Sequence, residues 1–236
     1  MEGLREKFAA AGYAATAPAL RFHDGERPPA VLGTTGLADY AADLEQEIAA
    51  LGQAPILVGH SMGGLLAQML AARMEVRALI LLAPSPPWGV PPTTLFEIGA
   101  AQAMHLHPGH WNQVLEPNRD IALAHSLDKL PRHMRDEVFD RFMPESGRAT
   151  FEIMNWGMDF NQSSRVDSDA VTAPMLFLTG SEDRLNPPST VARIAALYGD
   201  RATAEVLDGM GHWLIGEPGW EQLAERALDW LKEQKL

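Results

Sequence analysis

Gly59-His60-Ser61-Met62-Gly63 cuts short the apolar run Ala54-Pro55-Ile56-Leu57-Val58 and leads into Gly64-Leu65-Leu66-Ala67-Gln68-Met69-Leu70, a stretch of small and aliphatic residues suited to a helix. A strand that gives way at once to a helix must turn within a few residues. Glycines two before and two after Ser61 read as the places where that turn tolerates no bulk. Gly64 extends the opening. The pattern therefore dictates a strand feeding a helix through one tight turn, with a single serine displayed on it.

The rest of the chain repeats the alternation that builds a mostly parallel sheet with helices on both faces. Leu37, Tyr40, Ala41, Leu44, Ile48 and Leu51 recur at helical spacing, with Gly52 at the expected stop. Ala78-Leu79-Ile80-Leu81-Leu82 is an unbroken apolar run suited to a strand buried on both faces, and Ala83-Pro84-Ser85-Pro86-Pro87 ends it. A further strand is expected from Met175 toward Gly180, and another before Asp208. Trp220, Leu223, Ala224, Ala227, Leu228 and Leu231 share one stripe of a closing amphipathic helix. Between Trp88 and about Arg165 the strand signal stops. Helical patches over 95–104, 131–142 and 148–156 take its place, so the segment reads as an insertion.

A serine hydroxyl is a poor nucleophile unless a base stands beside it and backbone donors await the charge it generates. Two loops downstream offer partners. The strand over 175–180 runs into Ser181-Glu182-Asp183-Arg184-Leu185-Asn186-Pro187, and carboxyl ends of parallel strands are where reactive groups gather. Asp183 is preferred to its neighbour Glu182 by its spacing from Gly180 and by the proline that follows Leu185. Of the eight histidines, only His212 lies after the last strand-like run, between a glycine and an aromatic residue. His105, His107 and His110 invite a metal reading, but no carboxylate or cysteine joins them and Pro108 breaks the spacing, so no metal is expected.

With these three motifs in this order, the chain resembles the α/β-hydrolase superfamily over nearly its whole length, in the serine esterase and lipase-like branch. The resemblance implies an α/β fold with a core over 1–87 and 166–236 and a helical cap over 88–165. It implies Ser61 as nucleophile, His212 as general base and then acid, Asp183 as the carboxylate that orients the imidazole, and the Met62 N–H as an oxyanion donor. No cofactor is implied, and the substrate is a small-molecule ester of small to medium acyl chain. Trp88, Phe96, Met104, Trp111, Trp156, Met158 and Phe160 are candidates to line its pocket. Trp88, Trp156, Leu185 and Trp213 are preferred among the possible lining residues. Carbon–carbon bond hydrolases of the superfamily usually carry asparagine where His60 stands, which favours esterases, and Ser61 argues against the aspartate-nucleophile branches.

One stretch departs from the family pattern. The family begins with a strand ending in a His-Gly loop that supplies a second oxyanion donor, whereas residues 3–18 resemble the helix and strand that follow that loop. The expectation is a chain shortened at its N-terminus, the natural protein carrying roughly 20 to 40 further residues. If the chain truly starts at Met1, Tyr13 to Ala17 should pair directly with Ile56 to Val58.

Composition bounds the partners. A net charge of −12 with no local cluster of Lys or Arg opposes binding to nucleic acid or anionic membranes. The absence of cysteine excludes disulfides and thiolate chemistry. No apolar stretch approaches the length of a membrane span, and the first residues lack a signal peptide's apolar core, so a cytoplasmic location is expected.

Overall fold

The computed structural model describes residues 1–25, 27–105 and 109–236, and of Met104 and His105 the backbone only. The expected pocket residue Met104 and the histidines His105 and His107 thus have side chains outside the described set.

In chain order the elements are α1 (Glu2–Ala10), α2 (Leu37–Ala50), β1 (Ile56–His60), α3 (Met62–Ala71), β2 (Ala78–Leu82) and α4 (Leu95–His105). They continue with β3 (Val114–Leu115), α5 (Arg119–Ile121), α6 (Arg132–Phe139), β4 (Glu145–Ser146), α7 (Gly147–Met154), β5 (Met175–Gly180), α8 (Pro188–Ala196), β6 (Ala202–Leu207) and α9 (Trp220–Glu233). Gly52 ends α2 with φ of 66°, a left-handed conformation that glycine adopts without strain.

The main sheet has the order β1-β2-β5-β6, with every pair parallel. Its two central strands are buried on both faces, which is why they read as continuous apolar runs. Along β2, Ala78, Ile80 and Leu82 join the cluster beneath α1 and α9, while Leu79 and Leu81 join the one beneath α8. β5 alternates in the same way, Leu176 and Leu178 against Met175 and Phe177. A third cluster holds Leu37, Tyr40 and Ala41 of α2 against Leu65, Leu66 and Met69 of α3.

Residues 13–17, expected as a strand, form none, and they do not pair with β1. Three alanines give the segment little strand propensity. The segment is held by other contacts: Tyr13 N–H donates to the Phe8 carbonyl at 3.1 Å, the Tyr13 ring packs on Phe8, its hydroxyl donates to the Leu236 carbonyl at 3.0 Å, and Ala15 packs on the core cluster beneath α1 and α9.

The segment over 88–165 is mainly helical, with one feature that its sequence hid. β3 and β4 pair as an antiparallel ribbon, with Val114 opposite Ser146. Two residues per strand are too few to register as alternation. α7 is anchored in the core: Ala149 is fully buried in the α2–α3 cluster, and Glu152 accepts the Leu37 N–H at 2.8 Å. Phe160 and Met158, expected to line a pocket, are instead 98% and 55% exposed.

Candidate active site

Ser61 sits between the last residue of β1 and the first of α3 at φ 52° and ψ −120°, a strained conformation for a residue with a Cβ. The turn is fixed from both sides. Ser61 N–H continues the β1–β2 ladder by donating to the Leu82 carbonyl at 3.0 Å, and its own carbonyl accepts from Gly64, Leu65 and Ser85 N–H at 2.9, 3.2 and 3.0 Å. A Cβ on Gly59 would overlap the Gly63 carbonyl, and one on Gly64 would lie 2.7 Å from Pro84 Cβ. At Gly63 a Cβ would meet nothing within 4 Å, so the expected steric need there is absent. The crowded pair is Gly59 and Gly64. Met62 opens α3, and first-turn N–H groups have no partner within their own helix.

The three groups singled out by the sequence are brought together by the parallel sheet. β1, β5 and β6 end at the same edge, and Ser61, Asp183 and His212 come from the loops just beyond those ends. His212 Nε2 stands 3.1 Å from Ser61 Oγ, and His212 Nδ1 stands 2.8 Å from Asp183 Oδ2. A carboxylate only accepts, so Nδ1 carries the proton and Nε2 faces the serine as an acceptor. Asp183 is itself held: Oδ1 accepts the Leu185 and Asn186 N–H groups at 2.8 and 2.9 Å. Gly180 makes the approach possible. A Cβ there would overlap the Met210 and Gly211 carbonyls, so the loop bearing His212 lies directly against the end of β5.

Three further residues, none of them given a role by sequence reasoning, complete the surroundings. Buried Asn186 donates through Nδ2 to the Ala83 carbonyl at 2.8 Å, tying the loop of Asp183 to the end of β2. His60 Nε2 lies 2.7 Å from the His212 carbonyl oxygen, and the two imidazoles are 4.9 Å apart. Burial, and then the neighbouring His212, push the His60 ring down to about 3, so it is neutral with its proton on Nε2. Buried Glu217 accepts Gly211 N–H at 2.6 Å and Trp213 N–H at 2.9 Å, and desolvation raises its pKa above the ordinary carboxylate value. Local spacing gave no sign of these contacts, apart from the position of His60 beside the serine.

Comparison with known proteins decides the family. The model of the alpha/beta hydrolase family matches residues 2–226. The chain belongs to the alpha/beta hydrolase family. Solved structures of similar fold include tomato methylketone synthase I complexed with 2-tridecanone, at TM-score 0.71 and 15% identity over 98% of this chain and 92% of that one. The Arabidopsis methylesterase MES16 gives TM-score 0.70 and 15% identity over 98% and 93% of the two chains. A monoacylglycerol lipase of Paleococcus ferrophilus gives 0.63 and 21% over 97% and 87%. Among curated proteins, no sequence match is found.

In this alpha/beta hydrolase the four preferred lining residues fall into separate groups. Trp88 and Trp156 stack edge to face with ring centres 5.5 Å apart. Trp213 sits beside His212, its ring 5.9 Å from that of His60 and 5.2 Å from Phe142 of the inserted segment. Half-buried Leu185 is on the loop of Asp183, its backbone N–H given to that carboxylate. A polar cavity of about 550 Å³ lined by Arg73, Arg148, Arg165 and Glu152 includes none of Ser61, Asp183 and His212. Among the described residues, no group of three or more His, Asp or Glu side chains is placed to hold a metal, and no helix is long and apolar enough to cross a membrane.

Proposed function

We propose that this alpha/beta hydrolase cleaves carboxylic esters of small to medium acyl chain through a covalent acyl-enzyme, with Ser61, His212 and Asp183 as its catalytic triad. The observation that carries the reading is the relay from Ser61 Oγ through His212 to buried Asp183, at 3.1 and 2.8 Å, on a serine held at positive φ. Ser61 Oγ attacks the ester carbonyl as its proton passes to His212 Nε2, and the Met62 N–H faces the oxyanion that forms. The proton then passes to the departing alcohol. Water, deprotonated by the same imidazole, attacks the acyl-enzyme and regenerates the serine. Asp183 orients the imidazole and stabilises the imidazolium. Every proton in this cycle is carried by a residue of the chain or by water, and no cofactor enters. Trp88, Trp156, Leu185 and Trp213 are the residues assigned to the acyl and alcohol sides. The lipase and methylesterase of similar fold have names that agree with ester chemistry without fixing the acyl length.

Turnover on a series of p-nitrophenyl esters of increasing acyl length tests the reading. Multiple turnover on the shorter esters is expected, and Ser61→Ala should lower kcat by about 10⁴-fold or more while the far-ultraviolet spectrum stays unchanged. Full activity in that variant would refute the assignment.

A further inference from the structure

A general base works only when its imidazole is held in line with the nucleophile, and a side chain cannot be more fixed than the backbone that bears it. The loop bearing His212 has no regular secondary structure, since β6 ends at Leu207 and α9 starts at Trp220. Something other than a ladder or a helix must hold it. The Trp213 carbonyl accepts Gly216 and Glu217 N–H at 3.0 and 3.1 Å within the loop, and three further polar backbone groups at and beside His212 converge on two side chains. Gly211 N–H and Trp213 N–H, flanking the histidine, donate to the two oxygens of the single buried carboxylate of Glu217 at 2.6 and 2.9 Å. The carbonyl of His212 itself accepts from His60 Nε2 at 2.7 Å.

We propose that His60 and Glu217 form a clamp that positions the backbone of His212 relative to Ser61, with His60 as the member that ties the base directly to the nucleophile's own strand. The proposal rests on the triad reading above. His60 precedes Ser61 in the chain, so any movement of the elbow is transmitted to the His212 carbonyl through a single hydrogen bond. This linkage ties the base to the strand that carries the nucleophile. Only a neutral imidazole suits the position: a charged one beside His212 would oppose the positive charge that His212 acquires during attack. Glu217 fixes the other two backbone points, and its bond to Trp213 N–H holds the aromatic ring that packs against both His60 and Phe142. Neither residue touches the reacting atoms. Both act through His212.

Four variants of the whole chain decide the matter, each measured for kcat and KM at a temperature where circular dichroism shows it folded, and the three that keep Ser61 also for the rate at which a fluorophosphonate labels it. His60→Ala should lower kcat and the labelling rate by about 10- to 100-fold, with KM within about twofold of wild type. His60→Asn, whose amide can still donate to the His212 carbonyl, should recover to within about threefold of wild type. Glu217→Gln keeps the volume but offers only one acceptor oxygen, and should lower kcat about tenfold at unchanged KM. A folded His60→Ala that labels at the wild-type rate overturns the proposal, as does a folded His60→Asn no better than His60→Ala. If His60→Ala does not fold, Glu217→Gln at the wild-type kcat overturns it. Ser61→Ala separates this outcome from failure of the ester reading, which would show as turnover independent of Ser61 whatever His60 does.

Discussion

Gly59 and Gly63 are equally spaced about Ser61, yet their surroundings differ. The backbone of the 63–64 turn folds over Gly59, so a methyl group there has nowhere to go, whereas Gly63 faces open space at the start of a helix. Gly59→Ala should therefore disrupt the elbow, with loss of Ser61 labelling and a stability cost of several kcal/mol from overpacking. Gly63→Ala should leave the fold intact and stabilise it by up to about 1 kcal/mol, since alanine is the better helix former. Urea unfolding of the two variants checks both outcomes, and equal destabilisation would contradict this account. The same comparison shows why spacing alone misassigned Gly63. A motif records which positions are glycine, but only packing shows which of them must be.

At the level of elements, the joint between α2 and α7 shows how a helix terminus is completed from afar. α2 begins with Leu37, whose N–H has no partner within the helix, and buried Glu152 of α7 supplies the acceptor. Asp39 closes the neighbouring Gly36 N–H at 2.8 Å. Ser146 caps α7 in turn, accepting Ala149 N–H and donating to the Thr35 carbonyl, so the two helix starts hold each other. Burial raises the pKa of Glu152. Glu152→Gln should cost little, because an amide oxygen still accepts from Leu37 N–H. Glu152→Ala should cost about 1–3 kcal/mol in urea unfolding by stranding a buried donor. Equal costs for the two would mean that volume, and not the hydrogen bond, matters at this joint. The sequence located both helices within a residue or two, because amphipathic spacing is a local property. It was silent on their mutual capping, which joins residues 115 apart.

For the whole molecule, titratable groups that are wholly or partly buried set opposing responses to acid. The His60 pKa is lowered to about 3, so the unfolded chain binds a proton that the folded chain refuses, from its ordinary value of 6.5 downward. Its contribution to stability is complete above pH 6.5 and is lost as pH falls toward 3, at up to about 1.4 kcal/mol per pH unit. His23 acts oppositely. Its pKa is raised by Glu145, so its contribution is complete below 6.5 and fades as pH rises through the folded value. The raised Glu152 and Glu217 also favour the folded state as pH falls. Comparing wild type with His60→Asn cancels these other groups. The urea midpoint of wild type should fall more steeply than that of the variant between pH 7 and 4, and parallel curves would show that His60 does not control the acid response.

Local rules determined much of this protein from its sequence alone. The period of apolar residues gave the central strands and the packed helices, the turn chemistry gave the elbow at Ser61, and the order of loops pointed to Asp183 and His212 as its partners. Tertiary structure decided what no local rule can encode. It left residues 13–17 without a strand, turned Phe160 outward, and placed His60 and Glu217 around the backbone of His212. The physical reason is one of range: a side chain's conformational preference depends on its near neighbours in the chain, whereas its hydrogen-bond partners and its exposure depend on which distant segments the sheet brings to the same edge.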